Sequence, residues 1–210
     1  MDKYSITVNT FNKLAQKYQD KYMDMALYDD TFDLFCQRLN DKDTPSLFEI
    51  GCGPGNISRF LLNLCPELTI HGTDLAPNMV ELAKLNNPGA TFEVMDCREI
   101  HTVDSKYDAI MCGFCLPYIS KDDARKLIAD ASGLLRDEGI IYLSTMEGDY
   151  EASKFDVSSS GDRVFTYFHR AEHLTQCLNE SGFEIIDVKR KTTSKPDGTD
   201  NTDLFIVAQL

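Results

Sequence analysis

Basic residues are scarce in this chain of 210: 21 Lys and Arg stand against 34 Asp and Glu, a formal net charge of −13. The pI is near 4.6, and Lys189-Arg190-Lys191 is the only basic triplet. So acidic a surface repels a phosphate backbone, which argues against a nucleic-acid partner. Long apolar runs are missing too. The longest uncharged stretch, 109–120, falls short of the roughly 18 apolar residues that span a bilayer, so no membrane role is expected. The first twenty residues include Asp2, Lys3, Lys13, Lys17 and Asp20 and hold no apolar run, unlike a secretory leader. Seven cysteines, an odd number placed mostly in apolar segments, fit buried thiols better than a disulfide framework. Neither internal repeats nor low-complexity tracts are present. What these absences leave is a cytoplasmic globular protein, of one domain at this length.

The chain opens with helical patterns. Phe11, Leu14, Ala15, Tyr18 and Tyr22 recur on one face, with Asn9 or Thr10 available as cap. Phe32, Phe35, Cys36 and Leu39 mark a second short helix, followed by a polar breaker at 40–45. From residue 46 short apolar runs alternate with helices. Strands are predicted at 47–50, 68–73, 91–95, 107–112 and 139–144, and helices at 57–64, 77–86 and 121–135. Ala124, Leu127, Ile128, Ala131, Leu134 and Leu135 share one face of the last helix, which Ser120 caps. After 146–168 come a helix at 172–181, stopped by Gly182, and strands at 183–188 and 204–208. Their link, 192–201, holds Pro196, Asp197 and Gly198 and no helix, so the pair must be antiparallel. The fold class is therefore α/β: a doubly wound, Rossmann-like, mostly parallel seven-stranded sheet with an antiparallel C-terminal hairpin and an N-terminal helical cap. Residues 1–44 form the cap, 45–145 and 170–210 the core, and 146–169 a lid or insertion, expected to be mobile at its Ser-Ser-Ser-Gly run.

The informative segment is Glu49-Ile50-Gly51-Cys52-Gly53-Pro54-Gly55, between a strand and a helix. Glycines there let the chain turn tightly and let a ligand lie against bare backbone. Asp74 ends the second strand, 23 residues after Gly51, where a carboxylate can accept from both hydroxyls of a ribose. Asp96 ends the third strand, within reach of an adenine amino group. These features converge on an adenosine-containing ligand. A dinucleotide asks for G-x-G-x-x-G, but Asn56 stands at the third glycine, and no Gly-Lys-Ser/Thr follows for a nucleoside triphosphate. Glu49 suits an ammonium group better than a phosphate. The pattern favours S-adenosylmethionine, with a NAD- or FAD-linked oxidoreductase or a non-catalytic adenosyl-ligand-binding protein as the other readings.

Residues 49–55 resemble the first motif of the class I S-adenosylmethionine-dependent methyltransferases, and Gly72-Thr73-Asp74-Leu75-Ala76 resembles their ribose motif. Met95-Asp96-Cys97 is similar to the adenine motif, 107–112 to the fourth strand and 135–139 to the turn into the fifth. The resemblance implies that Gly51, Gly53 and Gly55 border the methionine part of the cofactor, with Glu49 near its ammonium. It further implies that Asp74 holds the ribose, that Leu75 flanks the adenine, and that Asp96, with Cys97 beside it, meets the adenine amino group. Cys112 and Gly113 would offer backbone beside the sulfonium. Tyr18 and Tyr22 resemble aromatic residues with which an N-terminal helix closes over the cofactor.

Members that methylate planar amines carry Asp/Asn-Pro-Pro-Tyr/Phe after the fourth strand, whereas this chain has Gly113-Phe114-Cys115-Leu116-Pro117-Tyr118. Arginine methyltransferases use two glutamates in one loop, and 145–148 supplies only Glu147. A small-molecule acceptor is left as the expectation. The aromatics place its site between the N-terminal helix, the loop bearing Tyr118, and 146–169 with Tyr150, Phe155, Tyr167 and Phe168. Tyr118 and His169 are the candidate catalytic residues, His169 as general base. Cys112 and Cys115 form a lone C-x-x-C, better explained by burial than by zinc, which needs four ligands. His169 and His173 also lack a third ligand, so no metal is expected. Asp29-Asp30 and Asp122-Asp123 read as solvated charges at helix starts.

Overall fold

The computed structural model describes residues 2–24, 26–40, 42–194 and 200–210. Five strands run parallel: β1 (Ser46–Ile50), β2 (Thr69–Asp74), β3 (Thr91–Val94), β4 (Tyr107–Cys112) and β5 (Leu135–Glu147). A small hairpin, β6 (Lys154–Val157) and β7 (Arg163–Thr166), stands apart from them. The last two strands, β8 (Glu184–Ser194) and β9 (Asp200–Gln209), complete a seven-stranded sheet of order β3-β2-β1-β4-β5-β9-β8. β9 lies between β5 and β8 and is antiparallel to both. The antiparallel pairing expected for the final strands is present. Both extend into the segment read as their link, and Pro196, Asp197 and Gly198 lie outside the described residues.

Successive residues of a strand point to opposite faces, and here both faces are covered. Phe48, Ile50, Ile110, Cys112, Ile141 and Leu143 pack under α5 (Lys121–Leu134) and α6 (Ala171–Glu180). Leu47, Ala109, Met111, Ile140 and Tyr142 face α2 (Asp33–Asn40) and α3 (Asn56–Leu64). The six residues expected on one face of α5 and its end are all buried, and Ser120 caps the helix at the Asp123 N–H. α4 (Pro77–Asn86) follows β2, and α1 (Lys3–Tyr22) crosses it through Ala15, Ala76 and Met79.

Two expectations need correction. α1 begins six residues before Asn9, capped by Asp2, whose carboxylate accepts from Ser5 N–H at 2.9 Å. Thr10 sits inside the helix because its hydroxyl has a tertiary acceptor, the Arg163 carbonyl at 2.7 Å. The turn expected at 135–139 is instead the bulged start of β5. Tyr107 pairs with Leu135 but Ala109 with Ile140, and Glu138 takes φ 61° at the bulge. Residues 146–169 are tied to α1, where Phe165 N–H donates to Thr7 Oγ1 at 2.9 Å and Lys13 pairs with Asp162 at 2.6 Å, while Ser158, Ser159, Ser160 and Gly161 are exposed. Among the described residues no helix is long and apolar enough to cross a membrane.

Candidate functional site

β1 ends at Ile50, and the chain turns at once through the glycine segment into α3. Gly51 has φ 70°, a conformation that a β-carbon disfavours. A Cβ there would also lie 2.9 Å from Cys115 Cβ. Gly55, at φ 76°, serves a different purpose: it caps α3 and admits the Asn87 side chain of the turn after α4, which a Cβ would meet at 2.3 Å. Asp74, at the end of β2, ties the loop down. Its Oδ2 accepts from Gly53 N–H at 3.0 Å and its Oδ1 from Ala76 N–H at 2.8 Å. Burial raises the Asp74 pKa, and these two backbone bonds oppose the rise. Each oxygen keeps an acceptor site for a hydroxyl.

Two cavities meet at this loop, sharing Gly51, Gly53, Gly113, Phe114, Tyr18 and Tyr118 as a common wall. The smaller, about 100 Å³, is lined by Asp74 together with Leu75, Met79, Met95 and Cys97. A carboxylate beside an apolar slot is what a ribose and a flat base require. The larger, about 440 Å³, continues past the loop between α1, α3, the carboxyl end of β5 and the first residues of the antiparallel β9. Phe11 closes the roof, its ring 4.7 Å from Tyr118 and 5.9 Å from Tyr18, and Tyr18 in turn meets Tyr22 at 4.5 Å. Burial raises the Tyr118 and Tyr18 phenols above their ordinary pKa, so both remain protonated donors. The residues present fit an adenosyl group bound across the loop.

Gly51, Gly53, Asp74, Leu75, Cys97, Gly113, Tyr18, Tyr22 and Tyr118 are thus brought together on the cavity walls. Other expected site residues line neither cavity. Glu49 is 2% exposed beneath the loop and takes a hydrogen bond from Ser58 Oγ; burial pushes its carboxyl up to about 8. Asp96 is turned to Arg98, which grips both of its oxygens, and to the Tyr4 hydroxyl at 2.9 Å. Burial opposes its ionisation, but these partners outweigh burial and hold it below the ordinary carboxylate range. Cys112 is wholly buried in β4, and Gly55 packs as described.

The general-base reading of His169 is corrected. The side chain is 0% exposed, with Nε2 at 2.9 Å from the Leu116 carbonyl oxygen, and burial pushes its pKa down to about 4. It is a core histidine, held there because β5 pairs with it at Glu147. The aromatics of 146–169 leave the cavities for one another: Tyr150 stacks on Tyr167 at 5.8 Å, Phe155 meets Phe165 at 5.0 Å, and Phe168 covers Gly148. Among the described residues, no group of three or more His, Cys, Asp or Glu could hold a metal ion.

The larger cavity also uses residues the sequence reading passed over: Tyr28, Phe32, Phe60, Tyr142, Ser144 and Asp203. Asp203 had a signal, an acid at the head of a strand whose next five residues are buried. Phe114 sits at φ 53°, its N–H donating to Ser144 Oγ at 2.9 Å. Strained backbone of this kind collects at ligand sites.

Comparison with known proteins agrees with this geometry. A family model described as a methyltransferase domain matches residues 47–139. The malonyl-acyl-carrier-protein O-methyltransferase 1 of Ilyobacter polytropus is 30% identical over 192 residues, covering 89% of this chain and 69% of the relative. A tRNA N(3)-methylcytidine methyltransferase of Schizosaccharomyces pombe is 23% identical over 212 residues, 87% and 85% of the two chains. The chain spans only 34% to 50% of the length of several other curated relatives. In fold it resembles the magnesium protoporphyrin IX methyltransferase of Synechocystis PCC 6803, solved with bound S-adenosylhomocysteine. That likeness has a TM-score of 0.73 at 18% identity over 99% of both chains. The chain belongs to the class I S-adenosylmethionine-dependent methyltransferases.

Proposed function

We propose that this chain methylates a small-molecule acceptor held in the larger cavity. The observation that carries the reading is the pair of cavities joined at the glycine loop, one shaped for an adenosyl group and the other free for a second compound. Asp74 holds the ribose, Leu75 and Cys97 border the adenine, and Gly51, Gly53 and Gly113 leave room for the methionine part. When bound, S-adenosylmethionine supplies a sulfonium methyl that an acceptor attacks in line. The protein's work is then alignment and exclusion of water. Phe11, Tyr18 and Tyr118 close the roof against water, and Tyr118 donates a hydrogen bond at the junction of the two cavities.

The relatives' names point to different acceptors, a tRNA and a malonyl group on a carrier protein. A net charge of −13 and a cavity whose described walls carry Arg59 as their one Lys or Arg speak against tRNA. Seven free cysteines suit a reducing compartment such as the cytoplasm. Incubation with S-adenosylmethionine carrying a labelled methyl, a cell extract and total tRNA tests the reading. Label in a filtrate compound other than S-adenosylmethionine, formed only when the protein is added, is expected; transferred label found only on tRNA or protein would contradict it.

A further inference from the structure

We propose that the larger cavity recognises its acceptor through a positively charged amine, with Asp203 as the residue that reads it. This rests on the methyl-transfer reading above. Asp203 opens the buried run of β9 and is itself 4% exposed, yet it lies on the cavity wall. Burying a carboxylate is costly unless partners compensate. Its hydrogen bonds come from neutral groups: the Tyr28 hydroxyl donates to Oδ2 at 2.7 Å and the Asn201 amide to Oδ1 at 3.1 Å. Burial raises the Asp203 pKa and these two hydrogen bonds oppose the rise, so a cation in the cavity would favour the ionised form. Lys191, opposite Asp203 in the β8–β9 ladder, places its ammonium at Asp30, 6.0 Å from the Tyr28 ring.

Position separates Asp203 from the cofactor's own amino-acid tail. β9 runs against its neighbours, so its first residues fall at the carboxyl ends of the parallel strands, where Asp203 pairs with Met146. In sheet order β9 is three strands from β1 and its glycine loop, about 14 Å at ordinary strand spacing. Charge separates an amine from an acid. The described walls carry Asp24, Asp29 and Asp203 against Arg59, whose guanidinium is engaged by the Asp24 carboxylate and the Met23 carbonyl. No further Lys or Arg on those walls awaits a carboxylate. The rings complete the case. Tyr28 lies 5.1 Å from Phe114, and Phe32 lies 5.1 Å from Tyr142 and 5.3 Å from Phe60. Such aromatic walls beside a carboxylate attract cations through their faces.

Calorimetry on the full chain saturated with S-adenosylhomocysteine tests this with two probes of equal reach, 2-phenylethylamine and 3-phenylpropionate. The amine is expected to bind at least about tenfold tighter than the acid. Asp203→Asn should erase that preference while changing S-adenosylhomocysteine affinity less than about twofold. Equal or tighter binding of the acid, binding of neither probe, or a preference that survives Asp203→Asn overturns the proposal and leaves the methyl-transfer reading standing. A large loss of S-adenosylhomocysteine affinity in Asp203→Asn overturns it differently, by giving Asp203 to the cofactor. Should Asp203→Asn fail to fold, the comparison of the two probes on the unaltered protein decides alone. Failure of S-adenosylhomocysteine to bind the unaltered protein would instead remove the underlying reading.

Discussion

Gly51 and Cys115 approach so closely that a methyl group on Gly51 would lie 2.9 Å from Cys115 Cβ and 3.2 Å from its sulfur. The glycine loop and the loop after β4 are thus packed backbone to side chain, and the cofactor cavity is the space left between them. Gly51→Ala must strain the φ of 70° and push these loops apart. Gly161 is a fair control, with φ 82° and nothing within 4 Å of its missing Cβ. Gly161→Ala should cost about 1–2 kcal/mol from backbone strain alone and leave S-adenosylhomocysteine affinity intact. Gly51→Ala should cost more than that and lower the affinity at least about tenfold. Thermal denaturation and calorimetry of both variants check this; equal behaviour would remove the importance of the contact.

Asp74→Ala should weaken S-adenosylhomocysteine binding far more than Asp96→Ala. The first removes an acceptor on the cavity wall that also fixes Gly53 N–H. Loss of hydrogen bonds to a charged group costs about 1.5–3 kcal/mol each, so at least a tenfold loss of affinity is expected. Asp96 is engaged by Arg98 and Tyr4, so its replacement should show mainly as a lower melting temperature. Calorimetry on the two folded variants separates them, and an unchanged affinity in Asp74→Ala would refute the ribose assignment.

Much of this was legible along the chain, because local patterns dictated it. α5 shows its apolar stripe as a helical period, and Gly51 to Asp74 carries the loop and its acid at fixed separation. What escaped notice depends on distant partners. Thr10 reads as a cap until the Arg163 carbonyl is placed beside it. The aromatics of 146–169 look like a lid because nothing in the sequence says that Tyr150 and Tyr167 satisfy each other. Tyr28 and Asp203 are 175 residues apart, and only the reversed strand β9 brings them into one wall.

Glu49 should make the ligand-free protein less stable as pH rises. Its carboxyl titrates at about 8 when folded, against an ordinary value of 4.5. Between those values the folded chain holds a proton that the unfolded chain has lost, so stability falls with rising pH across that window. Melting temperatures at pH 6.5 and 8 should differ in the unaltered protein and differ less in Glu49→Gln. An identical slope in the two would contradict the assignment.

His169 should behave in the opposite sense. Its folded pKa is depressed to about 4 from 6.5, so its contribution is present above 6.5 and is lost as pH falls toward 4. His169→Gln should lower stability by about 1–3 kcal/mol through the buried contact with the Leu116 carbonyl. The pH profile of turnover should keep its shape. A folded His169→Gln variant that loses an ionisation from that profile would restore the general-base role.

The central claim, that the glycine loop and Asp74 frame an adenosyl site rather than a dinucleotide site, is tested most directly by titrating the unaltered protein with S-adenosylhomocysteine and with NAD while following its melting temperature. At 100 times its dissociation constant, S-adenosylhomocysteine should add about 2.7 kcal/mol, a rise of several degrees for a chain of this size. NAD at the same concentration should leave the transition where it was. A rise with NAD and none with S-adenosylhomocysteine would contradict the account.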